Sequence, residues 1–530
     1  MLLNIINAIK SKDKERLLFD TNGIAGLVFY GAVAAVLALF MAVCILMVIY
    51  STLAFAGDTD TGIDYTIIDP YEDVNWLTYK QYRADLHNHT TASDGTDTLK
   101  DMLEQQYEYG FDIAAVTDHG VVDYGWTRQS VIPAMEIFID LFKGRAGDIV
   151  PLESQGGEAA NGNTYSLETK KGGSYYSQTT SSGIKLHSML RVPYGIENNP
   201  SSLNNAHVNS WFVDYGHGLL GGTSDYETPI KNVHEMGGLS VINHPGEYTG
   251  ARDEDSTADA YDEGAGMYGY YIDKFASLLI NYDSCIGIDI NSKGDGRTRY
   301  DRKLWDILLQ RVTPTGRNVL AIATSDAHST DAVFTGYTEM VMPSLTTDNV
   351  RECMEKGSFF ACSKNLGNPV EIAEIANYLV ESIDPTAVKL GEQLKAMQAE
   401  DATAKYEAQK DVEAPRVTAI AVDQNSDTIT LVTAGAKNIR WIANGKTIAT
   451  GNSIDLDDHK RELGNYVRAE IFGEGGIVYT QAFMLDYEGV AESDGGNFTD
   501  LGFLASMIPD TLVKLLGGLS IFDTIYGWIA

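Results

Sequence analysis

The chain has 530 residues and a formal net charge of −34, from 39 Lys and Arg against 73 Asp and Glu. So acidic a surface repels nucleic acid, and no basic patch interleaved with aromatic residues is present to follow a phosphate backbone, so we expect no nucleic-acid partner. Of the four cysteines, Cys44 falls in an apolar stretch. The other three give no disulfide framework, although Cys353 and Cys362 could pair.

The amino-terminal sixty residues predict a location. No charged side chain occurs between Asp20 and Asp58, and residues 24–56 are almost wholly apolar, well above the roughly 20 residues that cross a bilayer. Basic residues precede this stretch and acidic residues follow it, so the positive-inside rule places the rest of the chain outside the cell. We predict a cytoplasmic segment (1–23), a single transmembrane helix (24–56) and a linker (57–82). A signal peptide cleaved near 54–56 is the alternative, although the apolar stretch exceeds the about 7–15 residues of a typical h-region.

After the linker, strand-like apolar runs alternate with helix-like stretches. Residues 82–86 and 111–116 read as strands, with a helix at 98–109 between them. The same rhythm returns later, and the further predictions are helices at 230–236 and 302–312 and strands at 239–243, 285–290 and 319–324. Alternating β and α units imply an α/β fold with a parallel sheet or barrel, whose active face lies at the carboxyl ends of the strands.

Five of the ten histidines come just after these predicted strands. They are His87, His89, His119, His244 and His328. Two side chains separated by one residue at a strand end project to the same side, so His87 and His89 can share one ion. Imidazole and carboxylate bind Zn²⁺, Mn²⁺ or Fe, whereas a single histidine is more often a hydrogen-bonded core residue. The repeated placement at strand ends favours a metal centre.

The motifs, in their order and spacing, resemble the PHP family, named for its polymerase-associated and histidinol phosphatase members. The resemblance covers roughly residues 83–362, and the matching stretches are 85–95, 116–119, 241–245 and 324–328. It implies a distorted (β/α)7 barrel with up to three metal ions, and phosphoester hydrolysis as the reaction. Two ions about 3.5–4 Å apart lower the pKa of a bridging water and stabilise an in-line displacement at phosphorus.

Carried over position by position, the resemblance implies a set of metal ligands for two or three divalent transition metals, Mn, Zn or Fe. The motif residues are His87, His89, Asp94, His119, His244, Asp326 and His328. Two further ligands are expected between the second and third motifs. Glu153, after the apolar run 149–152, is expected as the bridging carboxylate, and His187, in the strand-like run 185–190, as the last ligand. The competing histidines in that region are His207, His217 and His234.

Some polar residues are expected to act beside the ligands. Asp118, in the second motif, is predicted to be catalytic. Arg297 and Arg299, in a Gly-rich loop, are predicted to meet the non-bridging oxygens of a phosphoester, with Arg191 in reserve. The alternative for these arginines is surface pairing with nearby aspartates. Asp289 stands where the family often has glutamate and is expected next to the ligands rather than among them.

Two segments depart from the family pattern. Residues 158–183, rich in Gly, Ser, Thr, Asn and Tyr, and residues 197–225 are expected to be insertions. Long insertions at the active face of a barrel shape access of the substrate. A disordered surface excursion is the alternative for the first of them.

The chain after the predicted barrel has a different character. The expected order is the barrel (83–386), a helical connector (387–415), a small all-β immunoglobulin-like sandwich (416–490) and an apolar tail (491–530). The sandwich is indicated by short β-rich runs separated by Gly- and Asn-containing turns. Its role is packing or, alternatively, contact with carbohydrate or cell wall. The tail, interrupted by Pro, Gly and charged residues, suits an interfacial segment better than a second span.

These features predict a single-pass cell-membrane protein whose extracytoplasmic domain is a metal-dependent phosphoester hydrolase. A PHP-like hydrolase of carbamate or carboxylic esters is one alternative, because a metal hydroxide also attacks carbonyl carbon. A non-catalytic envelope binding protein that retains the metal site is the other. The partners expected are a small-molecule or cell-envelope ester and the membrane.

Overall fold

The computed structural model describes much of the chain from Ile63 onward, and these residues belong to one compact unit. The described ranges are 63–128, 150–198, 206–219, 226–249, 268–292, 298, 300–366, 369–383, 385–400, 406–407 and 411–488. Within them no helix has the length and apolar character needed to cross a membrane. The predicted cytoplasmic segment, transmembrane helix and apolar tail lie outside the described residues.

The helices of the described ranges lie mostly between strands, as the sequence predicts. They are α1 (Leu99–Glu108), α2 (Glu227–Glu235), α3 (Gly246–Thr249), α4 (Tyr268–Asn281), α5 (Asp301–Val312), α6 (Thr347–Lys356), α7 (Pro369–Val380) and α8 (Pro385–Glu400). Short 3-10 helices occur at Thr313–Thr315, Thr330–Ala332 and Leu456–His459.

The strands fall into a group that carries the site and a later β-rich group. The first group is β1 (Thr66–Ile68), β2 (Lys80–Asp85), β3 (Ile113–Ala114), β4 (Gly157–Glu158), β5 (Thr164–Lys170), β6 (Gly173–Thr179), β7 (Lys185–Arg191), β8 (Ile196–Asn198), β9 (Val208–Trp211), β10 (Leu239–Ile242), β11 (Cys285–Asp289), β12 (Leu320–Ile322), β13 (Gly336–Met342) and β14 (Phe359–Ser363). The later group is β15 (Asn365–Leu366), β16 (Tyr406–Glu407), β17 (Arg416–Asp423), β18 (Thr428–Ala434), β19 (Asn438–Ala443), β20 (Lys446–Thr450), β21 (Ser453–Asp455), β22 (Tyr466–Gly473), β23 (Gly476–Tyr479) and β24 (Phe483–Asp486).

Local sequence explains the first helix and the central strands. The Thr98 side chain accepts a hydrogen bond from the Asp101 backbone N–H and caps α1, whose Leu99, Met102 and Leu103 are buried. Strands β10, β11 and β12 are short, apolar and buried along their whole length. Strands buried on both faces are typical of parallel sheets.

Two sheets carry the site. In one, β2 pairs in parallel with β3 and β3 with β7, while β13 joins β2 in antiparallel orientation. In the other, β10 pairs in parallel with β11 and β11 with β12, and β9 and β8 extend it in antiparallel steps. Isolated parallel bridges, Asn88 with Ala327 and His119 with Glu197, connect the two sheets. The α/β class is therefore confirmed, but the predicted barrel is present as two bridged sheets and not as one continuous cylinder of the described strands.

The two expected insertions are ordered where they are described. Residues 158–183 form most of the antiparallel run β4, β5 and β6, which extends the first sheet from β7. Residues 197–225 include most of β8 and all of β9, which belong to the second sheet. The interpretation of this second segment as an insertion is wrong, because its strands are part of the sheet that carries the site.

The β-rich region after residue 411 contains the strands that the sequence predicts. Its strands β17, β18 and β21 form a sheet of their own. The others do not form a detached module, because β23 pairs with β14 over Ala361–Ser363 and β24 pairs with β1. Main-chain hydrogen bonds thus run continuously from the β-rich region into the sheet that contains β2.

A buried ionic network also joins the two regions. Arg468 on β22 donates from Nε and Nη2 to the two carboxylate oxygens of Asp306 on α5, at 2.8 and 2.6 Å. Its Nη1 donates to Glu470 at 2.6 Å, and its guanidinium lies 4.5 Å from the ring centroid of Trp305. Strand β22 is therefore anchored to helix α5 by buried charges.

The three cysteines in the described chain, Cys285, Cys353 and Cys362, are buried and carry free thiols. The suggested pairing of Cys353 with Cys362 is wrong. Cys353 Sγ instead donates to the carbonyl oxygen of Ser358 at 3.2 Å.

Candidate metal centre

The ends of β2 and β12 meet at the centre of the site. The backbone N–H of His89 donates to the carbonyl oxygen of Ala327 at 2.8 Å, and Asn88 bridges to Ala327 in parallel. This pairing brings the first histidine motif against the last one. His87 and His89 then project to the same side, and their Nε2 atoms lie 3.1 Å apart.

Nine side chains converge in three overlapping groups whose candidate ligand atoms lie within 4.8 Å of one another. The groups are His89, Asp94, His119 and His328; His87, Glu197, His244 and Asp326; and His119, Glu197 and His207. Glu197 belongs to two groups, and so does His119. Shared members place the three groups side by side, which is the arrangement required for a centre with more than one ion.

Glu197 is fully buried and uses both carboxylate oxygens. The nitrogens around Oε2 are His119 Nδ1 at 3.0 Å, His89 Nε2 at 3.3 Å and His87 Nε2 at 3.4 Å. Those around Oε1 are Asn243 Nδ2, which donates at 2.8 Å, His207 Nδ1 at 3.0 Å and His244 Nε2 at 3.2 Å. A carboxylate whose two oxygens face separate sets of imidazoles is placed to bridge two cations.

Asp326 completes the buried side of the site. Its Oδ1 lies 3.0 Å from His89 Nε2 and 3.2 Å from His87 Nε2. Asp326 and His244 both have positive φ, 46° and 23°, although neither is glycine. Backbone in this region is disfavoured for L residues, and such outliers cluster at functional sites. Both side chains are thus aimed into the site at a conformational cost.

One side of the centre is open to solvent. Asp94 Oδ1 lies 3.3 Å from His328 Nε2 and 3.5 Å from His119 Nε2. The Asp94 and His328 side chains are 27% and 32% exposed, whereas those of Glu197 and His87 are 0% exposed. Among the described residues, the centre is therefore accessible to solvent from the side of Asp94 and His328.

The donor set fits divalent cations. Glu197 Oε2 makes no hydrogen bond within the described structure, although three imidazole nitrogens lie within 3.4 Å of it. Burial alone would raise the pKa of Glu197, but His207, His87 and His119 hold it well below its usual range. Burial lowers the pKa of His207 to about 4, whereas at His89 hydrogen bonds to Asp326 and Glu197 outweigh burial and raise the pKa to about 9. Carboxylate and neutral imidazole are the forms that bind metal.

Residues behind the ligands hold the loops in place. Asp118 accepts from the Thr90 backbone N–H and hydroxyl, both at 2.7 Å, and from Ser93 Oγ at 2.6 Å. It belongs to none of the three ligand groups, so the structure places this predicted catalytic residue behind the loop that leads to Asp94. Asp289 lies beside the ligands, as expected. It accepts from the Asn291 N–H at 3.0 Å, and burial raises its pKa to about 7.

Seven of the nine predicted ligands come together in the structure, and Glu153 and His187 do not. Glu153 is exposed, and its backbone N–H donates to the hydroxyl of Tyr165 at 2.9 Å. His187 is also exposed, and its ring stacks on Tyr107 with centroids 4.0 Å apart.

The register of the sheet explains why His187 is far from the centre. Strand β7 pairs with β3 so that Leu190 is opposite Ile113. His187 therefore lies level with the turn before β3, whereas the ligand His119 follows the carboxyl end of that strand. The chain continues past β7 into β8 and reaches the site at Glu197, which bridges to His119. The expected placement of Glu153 and His187 at the centre is wrong, and Glu197 and His207 lie there instead.

Neither residue follows the pattern that identifies the other ligands. Strand β9 runs antiparallel to β10, so its first end lies at the active edge and His207 precedes the strand instead of following it. Glu197 lies in a strand of three residues, which is too short for a periodic pattern. The competitors His217 and His234 belong to none of the groups.

The structure describes one of the three arginines predicted to contact phosphate, Arg191. Arg297 and Arg299 lie outside the described residues. The reserve candidate, Arg191, forms an ion pair from Nε to Asp123 Oδ2 at 2.8 Å. Its guanidinium is thus already engaged by a carboxylate.

Comparison with known families identifies a PHP domain at residues 85–241. This range contains His87, His89, Asp94, His119 and Glu197. The chain therefore contains a PHP domain at these residues, and the ligand groups extend beyond it to His244, Asp326 and His328. A search of the curated proteins finds no match.

Several solved structures share features with this chain. One is a two-domain protein containing a predicted PHP-like metal-dependent phosphoesterase from Bacteroides vulgatus, with 12% identity and a TM-score of 0.30, covering 81% of this chain and 91% of that chain. PsfC from Pseudomonas syringae has 16% identity and a TM-score of 0.28, and the match covers 51% of this chain and 88% of that chain. The lesion-specific endonuclease PfuEndoQ from Pyrococcus furiosus has 11% identity and a TM-score of 0.28, covering 52% and 56%. Similarity of this size does not identify an activity.

Proposed function

We propose that this protein is an extracytoplasmic hydrolase of phosphoesters that uses a metal-activated water at a site for two or three divalent transition metals, Mn, Zn or Fe. The observation that carries the proposal is Glu197, whose two oxygens face separate imidazole groups within 3.4 Å. A bridging carboxylate holds adjacent cations at the spacing that suits displacement at phosphorus.

Some residues of the site bind the ions, and others lie where the substrate enters. When bound, the ions supply a Lewis acid and an activated water. His87, Glu197, His244 and Asp326 hold the buried part of the centre, where exclusion of water strengthens electrostatic interactions. Asp94 and His328 lie at the exposed part, where a phosphate group can approach.

Metal content tests the proposal, with controls that the chain itself provides. Glu197→Gln and His207→Ala should lower the number of Mn²⁺ ions bound per chain, because each removes a member of the ligand groups. Glu153→Gln and His187→Ala are the matched controls, because these residues are exposed and outside the groups. Wild-type protein that binds less than one ion under metal-replete conditions would remove the hydrolase proposal.

The type of ester is tested with a substrate panel. Phosphomonoesters, phosphodiesters and aryl carboxylic esters should be assayed with Mn²⁺, Zn²⁺ and Fe²⁺. We expect phosphoesters to be hydrolysed and the activity to be lost in Glu197→Gln. Activity on carboxylic or carbamate esters alone would identify the carbonyl-ester alternative, and metal binding without turnover of any ester would identify a binding protein.

Arg297 and Arg299 are proposed to contact the phosphate group of the substrate. Replacement of either by Ala should then lower kcat/KM for phosphoesters by about tenfold or more at unchanged metal content. A neutral ester should be much less affected. Equal loss on both ester types would assign the arginine a structural role.

We also propose that the protein is anchored in the cell membrane by residues 24–56, with the hydrolase outside. The support is the basic cluster before this uncharged stretch and the acidic residues after it. Protease added to intact cells should degrade the PHP domain and leave the amino-terminal residues protected. Protection of the whole chain would contradict the orientation.

A further inference from the structure

Among the described residues, side chains and not a paired strand complete the outer edge of β12. On its inner edge β12 pairs with β11, and the Ile322 carbonyl oxygen accepts from the Ile290 N–H at 2.9 Å. Alternate residues of a strand direct their backbone groups to opposite edges. Ala321 and Ala323 therefore direct their N–H and C=O groups away from β11.

The side-chain amide of Gln481 meets the backbone of Ala321. Ala321 N–H donates to Gln481 Oε1 at 2.8 Å, and Gln481 Nε2 donates to the Ala321 carbonyl oxygen at 2.9 Å. The hydroxyl of Thr338 makes the equivalent contacts with Ala323. It accepts from the Ala323 N–H at 3.4 Å and donates to the Ala323 carbonyl oxygen at 3.0 Å. All four residues are fully buried. Gln481 thus takes the place of a paired strand on a sheet edge from which water is excluded.

Gln481 is itself held in a fixed position. It follows β23 in the C-terminal β-rich region, and its backbone N–H donates to the hydroxyl of Tyr71 at 2.9 Å. Its Nε2 also reaches the Phe359 carbonyl oxygen at 3.3 Å, and the Tyr71 hydroxyl donates to the same oxygen at 3.0 Å. The amide is therefore oriented before it meets Ala321.

Strand β12 leads directly into the metal centre. It ends at Ile322, Asp326 and His328 follow, and Ala327 between them bridges to Asn88. We propose that Gln481 is a positioning residue of the metal centre, which acts through β12 on Asp326 and His328. The inference rests on the proposed metal-dependent function and extends it, because it makes the C-terminal β-rich region necessary for metal binding.

An apolar replacement of Gln481 would leave two buried backbone groups of Ala321 without partners. An unsatisfied buried donor or acceptor is costly, so β12 would shift or admit water. The strand has only three residues, so a shift at Ala321 reaches the ligand loop within a few residues. Loss of residues that orient metal ligands typically weakens metal affinity by about 10–100-fold.

The experiment compares Gln481→Leu with Gln424→Leu in the full chain. Gln424 makes the same pair of contacts with a strand residue, because it accepts from the Ile67 N–H at 2.9 Å and donates to the Ile67 carbonyl oxygen at 2.7 Å. Ile67 lies in β1, which leads to no ligand residue. Calorimetric titration with Mn²⁺ should show an affinity about tenfold or more lower for Gln481→Leu. The affinity of Gln424→Leu should stay within about twofold of wild type. Hydrogen exchange of metal-free protein should be faster at residues 320–328 in Gln481→Leu alone.

The outcomes separate the inference from the proposed function. Gln481→Leu with wild-type Mn²⁺ affinity and wild-type exchange at 320–328 would overturn the inference. If Gln481→Leu does not fold, Thr338→Val removes the equivalent contact with Ala323 and should weaken Mn²⁺ binding. Unchanged Mn²⁺ binding by Thr338→Val would then overturn the inference. Wild-type protein that binds no metal would overturn the proposed function instead, and the exchange at 320–328 would then decide whether Gln481 positions the loop.

Discussion

Replacement of Arg468 by Met tests the buried ionic network between α5 and β22. Met retains the apolar stem of the side chain but removes the guanidinium. Asp306 then still accepts a hydrogen bond from the Tyr466 hydroxyl at 2.8 Å. Glu470 still accepts one from Arg440 Nε at 2.7 Å. Both carboxylates remain in a buried environment with part of their charge compensation lost.

The expected cost follows from this loss. Removal of one partner from a buried ion pair costs about 3–5 kcal/mol, because an uncompensated charge stays buried. That is a large share of the about 5–15 kcal/mol by which a folded protein is stable. The exposed pair Arg351–Glu355 on α6 provides the control, and Glu355→Gln should cost about 0.3–0.5 kcal/mol.

Urea unfolding monitored by tryptophan fluorescence measures both variants. The double variant Arg468→Met with Asp306→Asn should be destabilised by less than the sum of the single variants, because the second change removes the stranded charge. A free energy of unfolding for Arg468→Met that falls by no more than that of the exposed control would refute the reasoning.

Three further predictions concern pH, a support of the site and a close strand contact. Burial alone would raise the pKa of Glu470, but its two arginine partners lower it to about 2 from 4.5. The stabilising contribution of ionised Glu470 is therefore present above pH 4.5 and lost as the pH falls towards 2. Glu470→Gln should flatten this part of a curve of unfolding free energy against pH. An unchanged slope would contradict the lowered pKa of Glu470. Asp118→Asn should weaken Mn²⁺ binding by about 10–100-fold, because it loosens the loop that carries Asp94. Titration with Mn²⁺ measures this effect, and wild-type affinity would show that Asp118 does not support the loop. A β-carbon at Gly287 would lie 1.7 Å from the Leu320 carbonyl oxygen, so Gly287→Ala should lower the unfolding free energy by about 1–3 kcal/mol or more, and a neutral effect would contradict this packing.

Much of the site could be predicted from the sequence because most ligands follow parallel strands. His87, His119, His244 and His328 each come a few residues after a short buried strand, so the strand pattern and the ligand pattern support each other. The elements α1, α2 and α5 and the strands β10, β11 and β12 were predictable from periodicity for the same reason. The order of the motifs then indicated the PHP resemblance.

The part that was not predictable involves strands that break this rule. His207 precedes an antiparallel strand, so the expectation that a ligand follows its strand favours His187 over it. Glu197 follows Pro193 and Gly195, which interrupt the run that begins in β7, and its strand has only three residues. Glu153 was preferred because an apolar run precedes it, yet that run forms no strand where it is described. Sequence distance also gave no indication that Gln481 would contact β12.

The pairing of β1 with β24 has a mechanical consequence. In the sheet order, β24, β22, β23, β14 and β13 lie between β1 and β2, the strand that leads to His87 and His89. Along the chain, the link from β1 to β2 passes through Tyr71, which is 1% exposed and stacks on Phe360 with centroids 5.0 Å apart. A pulling force applied from the amino-terminal side is therefore borne first by the β1–β24 ladder and next by the buried Tyr71. Strand β2, which leads to His87 and His89, bears the force only after both have given way.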